Sequence, residues 1–156
     1  MKKESYMEES KEKACTEVFL GELYKNVKMG ADSIINIMPK VGDGELRQEL
    51  TAELNRYEEF SKKISDLLYS IGGKPEEEGM FAKMMAKAGM AMNTMMDSTA
   101  SHIAQMMIEG ATMGITENTK LIREYENKSC SEKALTLAKE TVRFMEDSVD
   151  RMKKYL

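Results

Sequence analysis

Apolar residues recur along most of this chain at about 3.6-residue intervals rather than alternating, the spacing that gathers side chains on one face of a helix. Over residues 5–39, Leu20, Leu23, Val27, Gly30, Ile34 and Ile37 share a face. Over 44–72 the line is Leu46, Leu50, Tyr57, Phe60, Ile64, Leu67 and Ile71. Over 131–156 it is Leu135, Ala138, Val142, Met145, Val149, Met152 and Leu156, with Ser131 placed to cap the first turn. Pro39 with Gly42-Asp43-Gly44, then Gly72-Gly73-Lys74-Pro75, then Asn127 to Ser131 separate these segments with residues that disfavour helix.

The third segment is less regular. Unbroken helix from Gly79 to Asn127 would be about 70 Å long, twice its neighbours. Gly89 is the expected interruption, leaving a short helical connection over 79–88 and a main helix over about 90–126. The pattern predicts an all-α, single-domain four-helix bundle spanning residues 1–156, with no strand and no repeat. Its topology turns on the Gly72–Gly89 connection. A local turn gives an up-down-up-down bundle, whereas a connection running the bundle's length makes the second and third helices parallel. We favour the long connection, which extended chain of this length can span.

Composition narrows the function. The chain has 23 basic and 27 acidic residues, net charge -4, so no concentrated basic surface for nucleic acid or an anionic membrane is expected. No apolar run is long enough to cross a bilayer, and the start MKKESYMEESKEK is not a signal peptide. Cys15 and Cys130 lie far apart with no metal-binding spacing, which is read as two plain thiols in a reducing cytoplasm.

Charge is also unevenly spread. From Ala88 to Thr119 there is no lysine or arginine, where average usage would place about five, and this stretch holds seven of the 16 methionines. Its ionisable groups are Asp97, His102, Glu109 and Glu117. Such a segment is expected to be enclosed by other helices. Its apolar arc is wider than a four-helix bundle covers, and Ala100, Ala104, Gly110 and Gly114 follow a small-residue spacing, so part of the third helix is expected to pack against a second copy in a homodimer. The methionines are read as core packing, with Cu(I) ligation through thioethers as the lesser alternative.

Some polar groups fall where apolar ones belong. Glu53 lies inside the apolar arc of the second helix, in line with Leu46, Phe60, Ile64 and Ile71, and needs a cation, a hydrogen-bond network or a metal as partner. His102 and Glu109 lie two turns apart on the border between a Met-rich side of the third helix and a side bearing Thr94, Ser98, Ser101, Gln105, Thr112 and Thr116. Glu22 and Glu146 are border residues of the first and last helices. Glu22, Glu53, Glu109 and Glu146 each fall in the middle third of their own helix, so a bundle could bring them to one level.

Four helices, a long middle connection and mid-helix glutamates resemble the ferritin-like superfamily, here an uncharacterised bacterial branch. The resemblance implies a dinuclear iron or manganese site with one Glu from each of two helices and a Glu-x-x-His pair from each of the others. Glu22 and Glu109 would be the lone glutamates, and Glu53 and Glu146 would open the pairs. Position 56 is Arg and position 149 is Val, so both histidines are missing and an ordinary ferroxidase or diiron oxidase is not expected. Arg56 is then the expected counter-ion in place of a metal.

Two functions follow. One is a cytoplasmic ferritin-like protein holding a metal at Glu53, Glu109 and His102, with Glu22 and Glu146 behind them. The other is a structural or protein-interaction bundle without metal, dimerising through the third helix. A Met-lined copper or hydrophobic-ligand carrier ranks third. No nucleophile triad, phosphate loop or nucleotide fingerprint points to another enzyme class.

Overall fold

The computed structural model describes residues 2–76, 86–87, 89–90 and 95–156. Among them it is helical without strands. Helix α1 spans Lys2–Ile37, α2 Gly44–Ser70, α3 Ala100–Tyr125 and α4 Glu132–Met152, with 3-10 turns at Met38–Lys40 and Lys153–Tyr155.

Most boundaries follow from local chemistry. Asp43 caps α2 by accepting the Leu46 N–H at 2.8 Å, and Arg47 braces the preceding turn by donating to the carbonyls of Met38 and Val41. After α2 the chain reverses at Gly72, whose φ of 85° a side-chain-bearing residue rarely adopts, while the Gly73 N–H reaches back to the Leu68 carbonyl at 2.9 Å. Ser131 accepts from the Ala134 N–H and opens α4 as expected.

Helix α3 starts ten residues later than the sequence pattern predicts. Residues 95–99 are not helical. Asp97 accepts the Thr99 N–H at 3.0 Å, and Thr99 accepts the His102 N–H at 3.2 Å. These short polar side chains satisfy the backbone donors that a helix would leave open at its first turn, so the helix begins after them. Of the short helical connection expected over 79–88, residues 86–87 are helical and the rest lies outside the described residues.

Cross-helix contacts fix the topology. Glu17 on α1 lies against Gly73 at the end of α2, and Phe19 packs on Tyr125 at the end of α3, so α2 and α3 finish at the same end. Lys154 beyond α4 pairs with Glu45 and Glu49 at the start of α2, at the opposite end. The directions are therefore up, down, down, up, and the stretch from Ile71 to Thr99 joins the two ends. Its described points climb α1: Gly73 beside Glu17, Glu76 paired with Lys25 at 3.7 Å, and Gly89 beside Asn36. From Glu17 to Asn36 the helix rises about 29 Å. The expected long connection is present.

One apolar cluster runs through the bundle, with Phe19, Leu23, Ile34, Leu50, Ile64 and Ile103 among its buried members. Gly30 brings α1 against the Tyr57 ring, which meets Phe144 of α4 edge-on at 4.9 Å. Leu156, assigned to the apolar face of the last helix, is exposed because the helix ends at Met152.

The cysteines correct the sequence reading. Cys15 and Cys130 form a disulfide with Cα atoms 5.2 Å apart, 115 residues distant in sequence. Beside it, Thr16 accepts the Ser131 N–H at 3.0 Å, so α1 and the α3–α4 turn are joined twice. Sequence separation hid the pairing because bundle topology creates it. With the sulfurs bonded to each other, the two cysteines no longer point to a reducing compartment. Among the described residues, no helix is long and apolar enough to cross a membrane.

Candidate functional site

Helices α2 and α4 are held apart along one side of the bundle by the rings of Phe60 and Phe144, whose centroids are 5.6 Å apart. Between them lies a cleft of about 480 Å³. Glu53 lines its inner wall with 3% of its surface exposed, as its position in the apolar arc of α2 predicts.

The partner of Glu53 is a cation of a neighbouring helix, as one of the expected alternatives has it, but not Arg56. Arg151 of α4 places Nε 3.8 Å from Glu53 Oε1, close enough for an ion pair, yet Oε1 has no hydrogen bond among the described residues. Arg151 is nearer Glu49, at 3.2 Å. Burial pushes the Glu53 carboxyl up to about 7, while a hydrogen bond with Ser148 and the charge of Arg151 pull it back and Glu49 adds to the rise. Burial and the adjacent Glu53 together raise the Tyr57 phenol above its ordinary range.

Arg56, expected as the counter-ion, instead pairs with Glu59 at 2.9 Å. It extends over the rings of Phe60 and Phe144, 5.1 and 5.7 Å from their centroids. Lys63 lies over Phe60 at 5.7 Å. The cleft thus has a phenyl floor, a buried carboxylate toward one end and cations around the rings. Ser148 and Arg151 escaped the sequence reading. Ser148 did leave a signal: it is a serine between Met145 and Met152 on the apolar line of α4, and it is buried.

The other candidate ligands face elsewhere. Glu22 is exposed and pairs with Lys25 at 3.4 Å. Glu109 is exposed and accepts from the Gln105 side chain at 3.2 Å, and Glu146 is exposed beside a separate cleft between α3 and α4. His102 is half-buried in the first turn of α3. Register also separates them. Gly30 meets Tyr57, Glu22 lies two turns below Gly30, and Glu53 lies one turn above Tyr57, a vertical offset of about 18 Å. Mid-helix positions do not share a level because the helices differ in length and α1 extends past the bundle. Among the described residues, no three His, Cys, Asp or Glu side chains are grouped to hold a metal ion. These residues do not fit a dinuclear iron or manganese centre.

The methionines divide between core and surface. Met145 and Met152 are buried, Met95, Met106 and Met107 pack partly against the core, and Met90, Met96 and Met113 are exposed. Met84, Met85 and Met92 lie outside the described residues. Ala104 is buried and Gly114 packs against Met145 Sδ, so half of the small-residue series serves contacts inside the bundle. Gly110 faces open space.

Comparison with known proteins adds fold and family. YcfI, a protein of Rhodopseudomonas palustris put forward as structural, superposes with a TM-score of 0.52 at 12% identity, covering 86% of this chain and 88% of its own. At that identity the likeness is one of fold. No curated protein matches. Residues 16–124, more than half of the sequence, match a family described as a domain of unknown function, and the chain belongs to that family, DUF2383.

Proposed function

We propose that this protein acts as a structural, interaction-type helical bundle and associates with a second copy through the outward face of α3. The observation that carries the reading is the condition of the acidic residues. Glu53 is met by Arg151 and Ser148 from α4, while Glu22, Glu109 and Glu146 lie on the exterior, so the mid-helix carboxylates act in networks and at the surface. The architecture is read as ferritin-like in helix order, with its carboxylates turned to packing, and residues 1–156 as one domain.

The α3 face suits self-contact. Ser101, Gln105, Thr112 and Thr116 are exposed beside Gly110 and Met113, and the sequence carries no cation from Ala88 to Thr119. The charges that covering such a face would desolvate are the exposed carboxylates of Glu109, which already accepts from Gln105, and Glu117. A cytoplasmic location belongs to the same proposal and requires the Cys15–Cys130 pair to persist against cellular thiols.

Sedimentation of the untagged protein at micromolar concentration, with metal analysis of the same sample, tests this reading. A dimer that Gly110→Arg converts to monomer, without stoichiometric iron or manganese, is expected. A wild-type monomer would remove the α3 contact, and bound metal lost in Glu53→Ala would overturn the structural assignment.

A further inference from the structure

The α2–α4 cleft has features that the proposed assembly role does not use. Glu53 lines its inner wall with 3% of its surface exposed, and its Oε1 is a buried acceptor without a hydrogen bond among the described residues. A buried acceptor left this way is costly, and a donor entering the cleft would satisfy it. The nearest cation, Arg151, holds its Nε 3.2 Å from Glu49 and 3.8 Å from Glu53. The strongest local donor is therefore engaged with the neighbouring carboxylate.

The other end of the cleft has the opposite character. Arg143 and Lys63 line it, and neither has a carboxylate within ion-pair distance among the described residues. Lys63 is over the Phe60 ring, and Arg143 precedes Phe144 in sequence. Exposed Glu140 and Asp147 on α4, with Arg56 on α2, complete the lining and leave the whole near neutrality. A singly charged ligand would meet as many like charges as opposite ones. A ligand with both charges, oriented along the cleft, would meet complementary groups at each end.

Distance sets the ligand's length. Ser148 hydrogen-bonds Glu53, and Arg143 lies five residues earlier on α4, about 8 Å along the helix. Between them the phenyl rings of Phe60 and Phe144 form an apolar floor.

We propose that this cleft binds a small zwitterion, its ammonium group on Glu53, its carboxylate on Arg143 and Lys63, and an apolar spacer of about 8 Å across Phe60 and Phe144. The class is that of ω-amino carboxylic acids with five or six carbons, or an aromatic spacer of the same reach. The inference does not depend on self-association, since the α3 face lies outside this cleft.

The test uses the full-length protein with 13C-labelled phenylalanine, titrated with 6-aminohexanoate and followed by NMR. Hexylamine and hexanoate, which each carry one of the two charges, serve as comparison probes. Saturable shifts of Phe60 and Phe144 by the zwitterion are expected, with at least tenfold weaker binding of either single-ended probe. Glu53→Gln, which keeps the side chain's size, and Arg143→Ala, at an exposed position, should each weaken 6-aminohexanoate at least tenfold while the resonances of Phe19 stay in place. Absence of saturable shifts overturns the proposal. So does equal binding of hexylamine, or undiminished binding by either variant.

Discussion

The Asn26 side-chain amide on α1 donates to Asn118 Oδ1 on α3 at 2.7 Å, and the Asn118 amide is directed to Met145 Sδ on α4 at 3.7 Å. Asn118 is fully buried, so this chain of contacts ties three helices at one level of the core. A polar pair in an apolar interior holds only one register well, because sliding either helix strands a buried amide.

Asn26→Leu should therefore destabilise the protein by roughly 1–3 kcal/mol, since it leaves the buried Asn118 carbonyl without its donor. The double replacement Asn26→Leu with Asn118→Leu should recover part of that loss. Urea unfolding of the two singles and the double checks this, and simple additivity would show that the pair is not coupled.

Glu53 gives stability a pH dependence of definite sign. Its carboxyl titrates near 7 in the folded protein against an ordinary value of 4.5. Between these values the folded state holds the proton that the unfolded state has released, so stability falls as pH rises and levels off above about 7. The loss over that window is roughly 3 kcal/mol, at about 1.4 kcal/mol per pH unit. Melting curves from pH 4.5 to 8 should show this decline in the wild type and a flatter profile in Glu53→Gln.

The position of Glu53 was legible from sequence alone, because a helix angle places it among Leu46, Phe60 and Ile64 without knowledge of other helices. Its partners were not. Ser148 and Arg151 reach it only through the register of α4 against α2, which no local pattern encodes. The same division runs through the fold. Asp43 and Ser131 announce their helices by local capping, and α1, α2 and α4 lie close to expectation. The start of α3 departs from the 3.6-residue pattern, which carries Ser98 into a polar helix face, because Asp97 and Thr99 cap the backbone there.

Two glycines of α1 should respond in opposite directions to the same substitution. A Cβ at Gly30 would overlap the Tyr57 ring, which is buried and wedged against Phe144, so Gly30→Ala should cost roughly 1–3 kcal/mol. At Gly21 nothing lies within 4 Å of the added carbon, and Gly21→Ala should stabilise by about 0.5–1 kcal/mol through helix propensity. Thermal melts of the two variants against wild type measure both signs.

Reducing the Cys15–Cys130 bond should lower stability markedly. For a loop of 115 residues the chain-entropy estimate is roughly 4–5 kcal/mol. Denaturant unfolding with and without reductant checks it, and Cys15→Ser should match the reduced protein and be insensitive to reductant.

That bond also makes a closed ring of the backbone from residue 15 to residue 130. A protease that nicks the chain once between Ile71 and Thr99 would therefore not separate its products. The nicked molecule would remain one species, a covalent pair of helical hairpins, and would run as two fragments on a gel only after the sulfurs are reduced.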